Sequence, residues 1–178
     1  MRRATVSMFA QIVQLLPQSL FFKLVQKYQT DKGSKGTSTK DQLIAMMFCQ
    51  LSGAESLREI ADGLYSSLGK LNHLGAHAIG HSTLSYVNQH RDYHVYEDFY
   101  YGLLEHFRSE LTGARVKPIC TDKKIFSLDS TTIGLCLKLF DWARFRTTKG
   151  GIKLHTLLDN DTLMPQFIAV SEAAVSVF

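Results

Sequence analysis

The sequence predicts an α+β protein, with helices in its first two thirds and the opening strands of a sheet behind them. Three observations carry this. Apolar residues recur at helical spacing from Phe9 to about Leu111. The period changes to strand-like after a break at residues 112–121 that contains Gly113 and Pro118. A short apolar run, Lys124-Ile125-Phe126-Ser127-Leu128, then ends on Asp129. The 178 residues, 45% hydrophobic and 20% charged, suit one domain, or one domain and part of another, rather than a disordered chain. The expected division is 1–114, helical, and 115–178, strand-rich.

Phe9, Ile12, Val13, Leu16, Leu20 and Leu24 mark a first helical stretch to Tyr28, which Pro17 can split in two. Gln29 to Thr37 is polar, with two glycines and two lysines, and reads as a loop. The next helix starts at Ser38 or Thr39, where Thr39-x-x-Gln42 fits a capping box, and stops at Gly53. Ser56-Leu57-Arg58-Glu59 fits a second capping box, opening a helix to about Leu68. A connection over residues 69–80 leads to a helix beginning at His81-Ser82-Thr83, with Leu84 and Val87 inside. An aromatic-rich helix follows from about Tyr96 to Leu111.

Strands are expected at 124–129, 152–158 and 165–171, with Asp159-Asn160-Asp161 as a hairpin turn. Leu135, Leu137 and Leu139 alternate and allow an additional strand. A carboxylate-bearing strand followed by antiparallel hairpins is how a ribonuclease-H-like domain begins.

Charge is unevenly spread. Residues 1–50 carry seven Lys/Arg against two acids, residues 51–110 four against eight, and residues 111–178 nine against six. Basic segments attract phosphate backbones, although a net charge of +4 is mild. Cys49, Cys120 and Cys136 share no metal-ligand spacing and read as reduced, buried thiols of a cytoplasmic protein. No apolar stretch reaches membrane-spanning length, and Met1 to Ala10 lacks the apolar core of a signal peptide.

Two segments carry candidate chemistry. The helices at 57–68 and 82–90 could form a helix-turn-helix. The second helix would offer Ser82, Thr83, Ser85, Asn88, Gln89 and Arg91 to base edges and phosphates. Their connection exceeds the turn of about three or four residues in the compact motif, and pattern alone favours an ordinary helical bundle. In the strand segment, Asp129 followed by Ser130-Thr131-Thr132 suits a divalent ion such as Mg²⁺, which prefers oxygen ligands. The competing reading is a strand-end Asp that caps a turn. Arg144, Arg146, Lys149 and Lys153 around Trp142 and Phe145 form a basic stretch able to hold a DNA backbone, or else a solvated loop. His155 is either a phosphate contact, a support for the site or a structural histidine. His73, His77 and His81 are spaced for one helix face, but Gly75 and Gly80 interrupt it and argue against zinc.

Several of these segments together resemble a family. Phe9-Ala10-Gln11-Ile12-Val13-Gln14-Leu15-Leu16-Pro17, then Gln50-Leu51-Ser52-Gly53-Ala54-Glu55-Ser56-Leu57-Arg58-Glu59-Ile60, resemble the N-terminal region of bacterial insertion-sequence transposases of the DDE type, in the insertion-sequence-four branch. His81-Ser82-Thr83-Leu84-Ser85 with Asn88 and Arg91 continues the likeness. So do Ser127-Leu128-Asp129-Ser130-Thr131-Thr132-Ile133, Phe140-Asp141-Trp142-Ala143-Arg144-Phe145-Arg146 and Lys149-Gly150-Gly151-Ile152-Lys153-Leu154-His155-Thr156. The likeness covers roughly residues 8–168.

The resemblance implies a helical domain that binds double-stranded DNA at insertion-sequence ends and a ribonuclease-H-like catalytic domain. It also implies Mg²⁺-dependent cleavage and strand transfer in a dimeric, nucleoid-associated complex. Asp129 alone carries over as a catalytic, metal-binding residue, because the family's second Asp and its Glu belong to segments beyond Phe178. From Ala169 the sequence leaves the family's pattern, as a frameshift or premature stop would produce, and Glu172 takes no catalytic role. The expected protein is therefore a transposase fragment inactive by itself. The alternatives are a DNA-binding regulator of the full-length enzyme, working as a dimer with it, and a non-functional remnant.

Overall fold

The computed structural model describes residues 8–67, 71–111, 124–135, 144–146 and 149–172. Helices precede a small antiparallel sheet, the α+β arrangement expected. The chain divides into two compact units, Met1–Leu103 and Leu104–Phe178. The boundary expected near residue 115 falls outside the described residues.

The first unit is helical. Pro17 has no N–H to donate and separates α1 (Met8–Gln14) from α2 (Gln18–Tyr28), which meet at a bend of 67°. The loop after α2 leads into α3 (Thr39–Ser52). The N-cap of α3 is Ser38, and the capping box pairs it with Asp41, not Thr39 with Gln42 as the sequence suggests. Asp41 N–H donates to Ser38 Oγ at 3.1 Å, and Ser38 N–H donates to Asp41 Oδ2 at 2.8 Å. Thr39 is already helical, and its hydroxyl donates backward to Asp31 Oδ1 at 2.7 Å. That frees Gln42 for another task. Gly53 ends α3 at φ 70°, a left-handed conformation that costs glycine nothing.

Helix α4 (Leu57–Ser66) starts at Ser56, whose hydroxyl accepts from Glu59 N–H, one half of the predicted capping box; the Glu59 carboxylate accepts from Glu55 N–H at 2.9 Å in place of Ser56 N–H. Gly63 lets α4 close on α3: a Cβ there would lie 2.6 Å from the Phe48 ring. A single 3-10 turn, Asn72–Leu74, interrupts the connection to α5 (His81–His90), and α6 spans His94–Leu111. Helices α3, α4 and α5 pack on one another, and α1 packs on α3.

Two apolar clusters hold the unit. One gathers Val13, Ile44, Ala45, Ile60, Leu64, Leu84 and Val87, and the other Phe21, Val25, Val95 and Phe99. Lys27 and the Tyr28 hydroxyl both reach Asp98 at 2.6 Å, linking α2 to α6 and holding the Asp98 carboxyl below its usual range. That exposed pair adds little stability.

The second unit contains a four-stranded antiparallel sheet: β1 (Phe126–Leu135), β2 (Arg144–Arg146), β3 (Lys149–Asp159) and β4 (Met164–Glu172). Strand β3 is central, paired with β1 on one side and with β2 and β4 on the other. Strand β1 runs six residues past Asp129 because it pairs with β3 without a break from Phe126↔Asp159 to Leu135↔Gly150. The alternation at Leu135 thus begins inside β1, while Leu137 and Leu139 lie outside the described residues. Asp159 shapes the β3–β4 turn by accepting from Asp161 N–H at 2.9 Å, which matches the hairpin read from Asp159-Asn160-Asp161.

Among the described residues, no single helix is long and apolar enough to cross a membrane. The bent pair α1–α2 passes that test only when its two helices are taken together.

Leu64 is 1% exposed within the α3–α4–α5 cluster. Leu64→Ala is expected to destabilise the helical unit by about 2–5 kcal/mol, read by chemical denaturation; a loss under about 1 kcal/mol would contradict this packing.

Candidate nucleic-acid interface and the Asp129 strand

Helix α5 has ten residues, His81-Ser82-Thr83-Leu84-Ser85-Tyr86-Val87-Asn88-Gln89-His90, and none is Asp, Glu, Lys or Arg. Leu84 and Val87 are its buried residues. At 3.6 residues per turn, burying these two turns Ser82, Tyr86 and Gln89 to the opposite side, flanked by Thr83 and His90. All five are exposed. The outer face is therefore uncharged yet rich in hydrogen-bonding groups. Tyr86 and His90 stack at 4.1 Å between ring centroids, four residues apart on the helix. Sequence reading singled out Ser82 and Thr83 but not Tyr86 or His90. Their four-residue spacing, from Ser82 to Tyr86 and from Tyr86 to His90, was the available signal.

Of Asn88 and Arg91, also singled out from the sequence, Asn88 is exposed but tied to α3, and Arg91 serves the interior. Asn88 Oδ1 accepts from Gln42 Nε2 at 2.6 Å. Arg91, the C-cap of α5, has a side chain only 5% exposed. Its guanidinium donates to Gln42 Oε1 at 2.8 Å, Thr37 O at 3.0 Å, Ser38 O at 3.2 Å and Ser34 Oγ at 3.4 Å. Asp31 Oδ1 lies 3.8 Å away. Gln42 Oε1 also accepts from the Tyr96 hydroxyl at 2.8 Å. Burial pushes that hydroxyl above its usual range, so it stays protonated and donates. Gln42, 4% exposed, thus joins α3 to α5 and α6, and Arg91 ties the loop at 29–38 to the end of α5.

In the sheet, side chains alternate between faces, so register decides which residues meet. Asp129 pairs with Thr156, and Thr156 with Ile168. Asp129 is exposed, and its Oδ2 accepts from the Thr131 hydroxyl at 2.9 Å on the same face. His155 pairs with Ser130 and lies on the other face, together with Lys153. His155 is 4% exposed; its Nε2 lies 3.0 Å from Ser171 Oγ, and its Nδ1 has no hydrogen-bond partner. The sheet therefore does not bring His155 to Asp129. Arg144 and Arg146 in β2 flank the start of β3, where Arg144 pairs with Gly150 and Arg146 with Lys149. Trp142 lies outside the described residues, as do Cys120 and Cys136. Cys49 is a free thiol.

Mg²⁺ chemistry needs several oxygen ligands around one point. Among the described residues no three His, Cys, Asp or Glu side chains gather in that way. Asp129 with its Thr131 neighbour does not make a two-metal centre, and no step through a metal follows from these residues. His73, His77 and His81 lie in a 3-10 turn, an irregular segment and the start of α5, not on one helix face.

Residues 4–77 match a family described as a domain of unknown function (DUF4372). The match covers α1 to α4 and stops before α5. No curated protein and no solved structure matches the chain.

Arg91→Ala removes a buried guanidinium and leaves two loop carbonyls and Gln42 Oε1 short of donors. It is expected to cost roughly 2–4 kcal/mol of helical-unit stability and to speed amide hydrogen exchange over residues 32–38. Unchanged exchange there would mean that Arg91 does not hold the loop.

Proposed function

We propose that the chain is the front part of a DDE-type transposase. In this reading the helical unit binds double-stranded DNA at insertion-sequence ends, and the sheet carries the first of the carboxylates used for Mg²⁺-dependent strand cleavage and transfer. The observation that carries it is the outer face of α5. A helix resting on two others, with an uncharged hydrogen-bonding face turned outward, has the makeup of a major-groove reading helix. Gln89 suits an adenine edge, while Ser82 and Thr83 suit several bases. The motif order from Phe9 to His155 supports the transposase reading over other helical DNA-binding proteins. The match at residues 4–77 is to a family without an assigned activity and leaves that reading open.

Asp129 takes the role of metal ligand in the complete enzyme. A lone exposed carboxylate binds Mg²⁺ poorly, because the ion gives up little of its water shell to a single ligand. The chain alone is therefore expected to bind DNA without cutting it. The lack of any carboxylate cluster among the described residues favours a second reading, in which the chain acts as a DNA-binding regulator of a complete transposase.

Binding is measured by fluorescence anisotropy on labelled duplexes. Gln89→Ala is expected to weaken the preferred duplex by about 1–3 kcal/mol and to relax preference at one base pair. Equal affinity of the variant and the wild-type chain for every duplex would remove α5 from the interface. Asp129→Ala is expected to leave binding unchanged. In an assembly that supplies the remaining carboxylates, the same substitution should abolish Mg²⁺-dependent cleavage; retained cleavage there would take Asp129 out of the active site.

A further inference from the structure

We infer that the loop at residues 29–38 is a phosphate-backbone clamp, held beside α5 by Arg91, which supplies the cations that α5 lacks. This rests on the DNA-binding reading of α5 and adds a second contact surface to it.

A reading helix without cations makes no charge-assisted contact to the backbone, although phosphate contacts dominate affinity and fix register. Helix α5 has no Lys or Arg, and Arg91 at its end is buried and engaged with the interior. The loop is the neighbouring source of positive charge. It carries Lys32 and Lys35, both exposed, and Lys32 Nζ donates to the neutral Gln29 Oε1 at 3.2 Å. The loop's one acid, Asp31, is turned inward: its Oδ1 accepts from Thr39 N–H at 2.6 Å and faces the Arg91 guanidinium. Arg91 thus offsets the loop's negative charge and leaves two lysines on its outer side.

The same guanidinium fixes where those lysines stand. Its bonds to Ser34 Oγ, Thr37 O and Ser38 O attach the loop to the C-cap of α5. Ser34 sits between the two lysines in sequence, so both are within two residues of an anchor on the reading helix. Gly33 at φ 74° and Gly36 at φ 84° give the loop its tight path, and a Cβ at either would meet nothing within 4 Å. Space for a close-lying backbone is therefore open on that side. Arg91 acts here as a positioning residue, because it holds the lysines and touches no phosphate itself.

The test measures binding of the full chain to a mixed-sequence duplex across a salt series. Lys32→Ala with Lys35→Ala changes exposed side chains only. This double variant is expected to bind more weakly and to flatten the slope of log affinity against log salt by roughly 1.8, about 0.9 for each lost phosphate contact. Lys32→Arg with Lys35→Arg should keep the wild-type slope. Arg91→Lys preserves charge but loses the forked grip on two carbonyls, so it should flatten the slope in the wild-type background and leave it unchanged in the double-alanine background. A purely structural effect of Arg91 would act equally in both backgrounds and would remove its positioning role. If the double-alanine variant keeps the wild-type slope while Gln89→Ala weakens binding, the clamp is overturned and the DNA-binding function stands. If the wild-type chain binds no duplex at low salt, both are overturned.

Discussion

The helical unit depends on a buried amide. Gln42 accepts from Arg91 and Tyr96 and donates to Asn88, so one side chain on α3 reaches both α5 and α6. A buried amide is costly unless its groups are paired, and here the carbonyl and the Nε2 group both find partners. This constraint fixes the orientation of α5. With Asn88 and Arg91 turned toward Gln42 and Leu84 and Val87 toward the core, Ser82, Tyr86 and Gln89 can only face outward. The same Arg91 carries the loop at 29–38, so the outer face of α5 and its basic flank share one anchor.

The sheet obeys a different constraint. Strand β3 pairs along its length with β1, and the register sets Asp129 opposite Thr156. Period-two alternation then puts Asp129 and His155 on opposite faces, whatever their closeness along the strands. On the His155 face, Leu128, Leu157 and Phe167 stand in one row across three strands, with Leu128 and Phe167 about half exposed. Asp129 stands on the other face beside a threonine hydroxyl. A carboxylate so placed is available to a metal ion but does not assemble a centre around it.

Much of this was legible in the sequence, for physical reasons. The split at Pro17, the caps at Ser56 and Gly53, the start of α5 at His81 and the hairpin at Asp159 each follow from backbone chemistry that one or two residues dictate. The capping box at Ser38 was misplaced by one residue, because Thr39-x-x-Gln42 and Ser38-x-x-Asp41 overlap and spacing alone does not choose between them. The roles of Asn88 and Arg91 were not legible at all. One is an exposed residue of a short helix and the other its C-cap, and only the tertiary position of Gln42, about fifty residues earlier in the chain, engages Asn88 at the surface and draws Arg91 inward. The separation of His155 from Asp129 likewise depends on strand register, which neither strand's own sequence contains.

The central claim is that α5 and the loop at 29–38 together form the DNA-contacting surface. The most direct measurement is the mapping of backbone amide shifts in the isotope-labelled chain as a mixed-sequence duplex is added at low salt. The account predicts perturbations concentrated at Ser82, Tyr86, Gln89 and residues 32–36, with little change at the buried positions of α2. Perturbations confined to other surfaces, or none while the duplex is present in excess, would contradict it.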